Sequence, residues 1–181
     1  MAGQSKWAGR FLAASVVQGG FAFALMAYLL YLAVFGVPAA SRIIAAGGAG
    51  TWFFVGLIGY ALVGVLGIAV SALFYQHLEV DLGKPYTGWR NAAGWVHLLL
   101  GGVAGSAAAL LTAWGGYSGG AALLPPALGG GGMAAGDVHT NILGPLVVPI
   151  AALMAVTLLA FFIGGVGYVT AWWAARRAPA T

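Results

Sequence analysis

Cysteine is absent from this chain, and charge nearly so: Asp, Glu, Lys and Arg together make up 6% of it. Without a thiol there is no disulfide, no thiolate chemistry, no iron–sulfur cluster and no covalently attached c-type haem. So low a charged fraction, against about a quarter in soluble domains, excludes a water-soluble fold. What fills the chain is apolar: 62% hydrophobic residues and a mean hydropathy of +0.98. Hydrocarbon is the solvent these values specify, and the lipid bilayer is the first expected partner. The net charge of +4 and pI near 9.7 do not point to nucleic acid, because seven basic residues spread along the chain form no binding face.

Four apolar runs, at about 11–37, 52–77, 95–114 and 143–170, are each long enough to cross a bilayer. They predict an all-α fold, a single four-helix transmembrane bundle over 1–181 with no separate soluble domain. The first run is about twice the apolar core of a cleavable signal peptide, so it reads as a retained helix although Pro38-Ala39-Ala40-Ser41 resembles a processing site. Gln18 interrupts it and suits a hydrogen bond to a neighbouring helix. Gly56, Gly64, Gly67 and Ser71 line one side of the second run, and Gly101, Gly105, Ala108 and Thr112 one side of the third; small residues so placed let backbones approach closely. Residues 115–137, with nine glycines and Pro125-Pro126, read as a loop. It is too apolar to hang in water, so it is expected to lie on the membrane, re-enter it or be covered by a partner.

The spans divide the basic residues unequally. Lys6, Arg10, Lys84, Arg90, Arg176 and Arg177 fall on the side of the termini, and Arg42 alone on the other. Cytoplasmic flanks carry the excess of Lys and Arg, so both termini are expected in the cytoplasm of a multi-pass protein of the cell membrane.

Two polar constellations stand out. His77, Glu79 and Asp81 end the second run and His97 opens the third. Two neutral imidazoles from adjacent helices can ligate a b-type haem, one on each face of the macrocycle. The same set, His77, Glu79 and His97, could instead hold copper, iron or zinc, or serve as hydrogen-bonded interfacial residues. Glu79 and Asp81 also have Lys84 and Arg90 nearby and can be read as a solvated charge cluster. The second constellation, Asp137-Val138-His139-Thr140-Asn141, offers His139 as a haem or metal ligand at the other rim, with Met133 or Met154 as a second donor; it reads equally well as a helix start capped by Asp137 or Thr140.

No Asp, Glu, Lys or Arg lies inside a predicted span, which argues against an ion-coupled carrier or proton pump. Serine-hydrolase, zinc-protease and phosphate-loop signatures are missing as well, so catalysis by the chain alone is not expected.

Gly59-Tyr60 through Phe74-Tyr75 with Glu79, then Trp95-Val96-His97-Leu98 and Val138-His139-Thr140-Asn141-Ile142-Leu143-Gly144, resemble the span-ending Phe-Tyr and span-opening His motifs of small membrane proteins related to subunit I of haem-copper oxidases and nitric oxide reductases. The resemblance implies haem ligation, with His97 and His139 as the matching positions and copper or iron beside the haem. The chain is much shorter than those subunits, lacks an adjacent His-His pair and carries the matching histidines on opposite faces, so oxygen or nitric oxide reduction is not implied for it alone. The expected function is a small membrane subunit of a redox or respiratory assembly, with haem b as its candidate cofactor. The alternatives are a cofactor-free structural subunit packed against a larger membrane oxidase or monooxygenase or against further copies of itself, and a channel or carrier for a small neutral solute. Haem binding predicts a Soret band that disappears in His97→Ala.

Overall fold

A computed structural model describes residues 5–176. Arg177, counted above with the basic residues near the termini, lies outside that range. The described residues form helices and connections with no strand. Four helices are long and apolar enough to cross a membrane: α1 (Lys6–Phe35), α2 (Gly47–Asp81), α3 (Trp89–Leu123) and α4 (Ala135–Arg176). A short helical turn, Ala40–Ile44, links α1 to α2. The connections are short, so consecutive helices alternate in direction, and α1 packs on α2, α2 on α3 and α3 on α4.

α2, α3 and α4 extend past their predicted spans at both ends, while α1 begins earlier than predicted and stops at Phe35, two residues short of 37; the largest difference lies in the stretch read as a loop. Gly115 to Leu123 continues α3, and only residues 124–134 connect it to α4. Glycine disfavours helices in water because its unfolded chain has most freedom to lose, but inside a bilayer an unfolded backbone has no water to bond and helix is the alternative that remains. The glycines there form the closest contact in the molecule. A Cβ on Gly116 would be driven into the backbone of Phe53, 2.6 Å from its Cα, and one on Gly56 would sit 2.6 Å from the Cα of Ala113. The two small-residue stripes predicted on α2 and α3 are real but divide their work: Gly56 meets α3, Gly64 meets Ser106, and Gly101 receives the Phe161 ring of α4.

The remaining stretch, 124–134, stays against the helix it follows. It folds back over the end of α3, where the N–H groups of Gly131, Gly132 and Met133 donate to the carbonyls of Ala121, Leu124 and Ala122, satisfying acceptors that a helix end leaves open. α4 starts at Ala135, before the predicted 143, and passes through a widened π-helical turn, His139–Leu143. That turn lies just ahead of Pro145, whose ring carries no N–H into the ladder.

Three apolar clusters hold the ends. At the rim with residues 5 and 176, Trp7, Phe11, Tyr75, Leu78, Tyr86, Leu98 and Ala171 pack together. At the opposite rim the cores are Ile43, Phe53 and Ala113, and beside them Ala49, Val138 and Leu143. Between them Gln18 joins three helices: Tyr60 donates its hydroxyl to Gln18 Oε1 at 2.5 Å, and Gln18 Nε2 donates to Ser106 Oγ at 3.0 Å. This is the interhelical role expected of it.

Substituting Gly116→Ala is expected to lower stability in detergent by about 1–3 kcal/mol, the cost of overpacking a tight contact, and Gly20→Ala, which meets nothing within 4 Å, to leave it unchanged or raise it by up to about 1 kcal/mol. Thermal unfolding of the two variants, followed by circular dichroism, checks this; equal losses would contradict the seam.

Candidate functional site

Most of the nominated residues come from one rim, where the start of α1, the end of α2 and the start of α3 meet. Ser71, Tyr75 and Glu79 follow one another at intervals of four on α2, so they share a face, and that face looks into the bundle. Glu79 does not join a solvated cluster with Lys84 and Arg90. Its Oε2 accepts from Ser5 Oγ at 2.5 Å and from the Trp7 N–H at 3.2 Å, and its Oε1 accepts from the Tyr86 N–H at 3.3 Å. Ser5 is itself the N-cap of α1 and accepts from the Ala8 N–H at 2.9 Å. A carboxylate facing the first turn of a helix meets the positive end of its dipole, so Glu79 locks α1 and the 82–88 connection to the end of α2.

His97 lies in a π-helical turn, Val96–Gly101, four residues before Gly101 and so on the small-residue side of α3, and points between helices. Ser71 uses its single hydrogen on the Gly67 carbonyl at 2.8 Å. The 3.5 Å contact between Ser71 Oγ and His97 Nε2 is therefore donated by the imidazole. Nδ1 lies 3.2 Å from the Tyr75 hydroxyl, within hydrogen-bond distance. Both ring nitrogens are engaged. Phe11 and Phe161 flank it, with centroids at 5.0 and 5.2 Å, and a Cβ on Gly164 would approach its Cγ to 2.5 Å. Beside it a cavity of about 240 Å³, lined by Ser71, Phe74, Tyr75 and Tyr168, opens between α2 and α4.

His77 is two positions beyond Tyr75, about 200° around the helix, and so faces away from His97. It pairs with Asp81 at 2.9 Å, with side chains 46% and 60% exposed. His139, exposed at the start of α4, is 25 residues from Gly164, about 37 Å along the helix. Met133 packs on the Ala49, Val138 and Leu143 cluster, and Met154 lies about 22 Å beyond His139 on the same helix. The N-cap of α4 is Ala134, not Asp137 or Thr140, and Asp137 stands in the first turn. The structure thus brings none of His77, His97 and His139 together, and among the described residues no three His, Cys, Asp or Glu side chains form a group able to hold a metal.

These residues do not form a bis-imidazole haem site. A six-coordinate low-spin haem needs a nitrogen on each face, while His97 faces Tyr75, Ser71 and Gly164 with no second imidazole opposite. The adjacent cavity is also smaller than the roughly 300–1,000 Å³ of pockets that hold drug-sized ligands.

Sequence reasoning passed over Ser5, Ser71, Tyr75 and Tyr86 as partners. The four-residue spacing of Ser71, Tyr75 and Glu79 was the available signal for three of the contacts; nothing local marks Ser5. Tyr86 is buried with its hydroxyl lacking a partner among the described residues, and burial pushes its phenol above the ordinary value. No protein family, curated protein or solved structure matches the chain.

Removing the lock is expected to cost more than removing the exposed pair. Glu79→Ala should lower unfolding stability by about 1–3 kcal/mol, since it strands buried donors, whereas Asp81→Ala should change it by under about 0.5 kcal/mol. Parallel detergent melts measure both, and a neutral Glu79→Ala would contradict the assignment.

Proposed function

We propose that the chain is a multi-pass protein of the cell membrane, with both termini cytoplasmic, that serves as a cofactor-free structural subunit of a larger membrane redox assembly. One observation carries the cofactor-free part of this reading: Glu79 and His97, two of the side chains that the sequence offers as ligands, are spent on joining helices, as is Gln18. Glu79 holds α1 to α2, His97 holds α3 to α2, and Gln18 ties α1 to α2 and α3. A chain that needed those groups for a haem or metal would leave a coordinating nitrogen or oxygen turned toward a free space. The orientation is supported by the basic residues at the terminal rim. Lys6, Arg10, Lys84, Arg90 and Arg176 belong to it and Arg42 to the other end, the asymmetry expected of a cytoplasmic face. The redox assembly rests on the resemblance of short motifs to those of small membrane proteins related to haem-copper oxidase subunit I.

Protein purified from membranes in mild detergent is expected to show no Soret band, to contain iron and copper well below one per chain, and to elute with other subunits at fixed stoichiometry. A Soret band abolished by His97→Ala would overturn the cofactor-free reading, and elution as the chain alone or as its homo-oligomer would overturn the assembly.

A further inference from the structure

The terminal rim contains a second feature that the helix-joining contacts do not use. A cavity of about 540 Å³ lies between the start of α1 and the 82–91 stretch and is lined by Lys6, Trp7, Arg10, Glu79, Thr87 and Asn91 among others. Arg10 is held there without a carboxylate. Its guanidinium carbon lies 4.5 Å from the Trp7 ring centroid and 4.7 Å from that of Trp95, and the one ion pair among the described residues is His77 with Asp81. Cation–π contact fixes the position of a guanidinium through its face, and its N–H groups, which lie in its plane, stay available for planar acceptors. Lys6 is exposed one turn earlier on the same helix. Neither the Thr87 hydroxyl nor the Asn91 amide has a hydrogen-bond partner among the side-chain bonds of the described residues. Gly88, at φ +62°, turns the chain between them.

Glu79 is the opposing charge, and its oxygens already accept from Ser5, Trp7 and Tyr86. Two cations against that carboxylate leave the cavity one positive charge in excess. Tryptophans 7 and 95 are of the type that marks headgroup depth, and basic pockets between helices at that depth select phosphate-bearing headgroups.

We propose that this cavity binds a phosphate anion at headgroup depth, with Arg10 and Lys6 as its cationic partners and Thr87 and Asn91 as neutral donors. An anionic phospholipid supplies that group in a bilayer, and free phosphate supplies it from solution.

The test is thermal unfolding of the full chain in detergent, titrated separately with phosphatidylglycerol, phosphatidylcholine and inorganic phosphate. Phosphatidylglycerol is expected to stabilise saturably while phosphatidylcholine does so weakly. Removal of one cation, in Lys6→Gln or Arg10→Gln, should weaken the apparent affinity roughly fivefold, while Arg42→Gln on the opposite rim should leave it unchanged. Stabilisation by inorganic phosphate alone, lost in the same variants, assigns the site to the soluble anion and upholds the phosphate chemistry. Because Arg10 also packs on two rings, Lys6→Gln and Asn91→Ala give the reading if Arg10→Gln does not fold. Saturable binding of phosphatidylglycerol unaltered in Lys6→Gln and Asn91→Ala, or no stabilisation by any phosphate, would overturn the proposal.

Discussion

Hydrocarbon gives apolar side chains no reason to prefer one another over lipid, so a bundle built in it depends on how closely its backbones can meet. The contact between α2 and α3 is the expression of that constraint. Gly56 and Gly116 bring the two helices to a separation that a single methyl group would prevent, and dispersion and close dipoles then act over many atom pairs. The other helices are laid on this pair from either side, α1 on α2 and α4 on α3. The outer half of α1, which has no such seam, buries nothing beyond Ser15.

Polar side chains supply what packing alone leaves loose. They are few, and three sets of them sit where two or three helices meet: Gln18 with Tyr60 and Ser106 in the middle, His97 with Tyr75 and Ser71 nearer the terminal rim, and Glu79 with Ser5 and Trp7 at the rim itself. A hydrogen bond between helices is modest in energy in a membrane, but it has one geometry, so it fixes register and rotation that glycine contacts leave free. The same economy separates helix-holding groups from those left over. Arg10, lodged between two tryptophans without a carboxylate, belongs to the second kind, and so does the exposed pair of His77 and Asp81.

The four long helices were legible in the sequence because apolar length is a global property that no single residue can hide. The inward direction of His97 was legible too, from the small residues four and eight positions beyond it, and so was the bonding role of Gln18. The helical state of Gly115 to Gly120 was not, since a glycine run carries the signature of a loop in water and of a packing seam in lipid. His77 and His97 looked like a pair because they close the turn between two spans, yet adjacency along the chain does not determine rotation about each helix. Glu79 looked solvated because its sequence neighbours are Lys84 and Arg90; its actual partners, Ser5 and Trp7, are more than 70 positions away. Long-range polar contacts of this sort leave no local trace.

The absence of cysteine makes the central contact directly measurable. A Cβ on Gly119 would lie 3.2 Å from the Cβ of Ala49, close to the spacing a disulfide spans. In membranes treated with a mild oxidant, the pair Ala49→Cys with Gly119→Cys is therefore expected to cross-link nearly completely, and Ala49→Cys with Ser118→Cys, turned about 100° away, to remain reduced. Equal cross-linking of both pairs, as from a mobile glycine loop, or none at the first would contradict an α3 that continues through its glycines against α2.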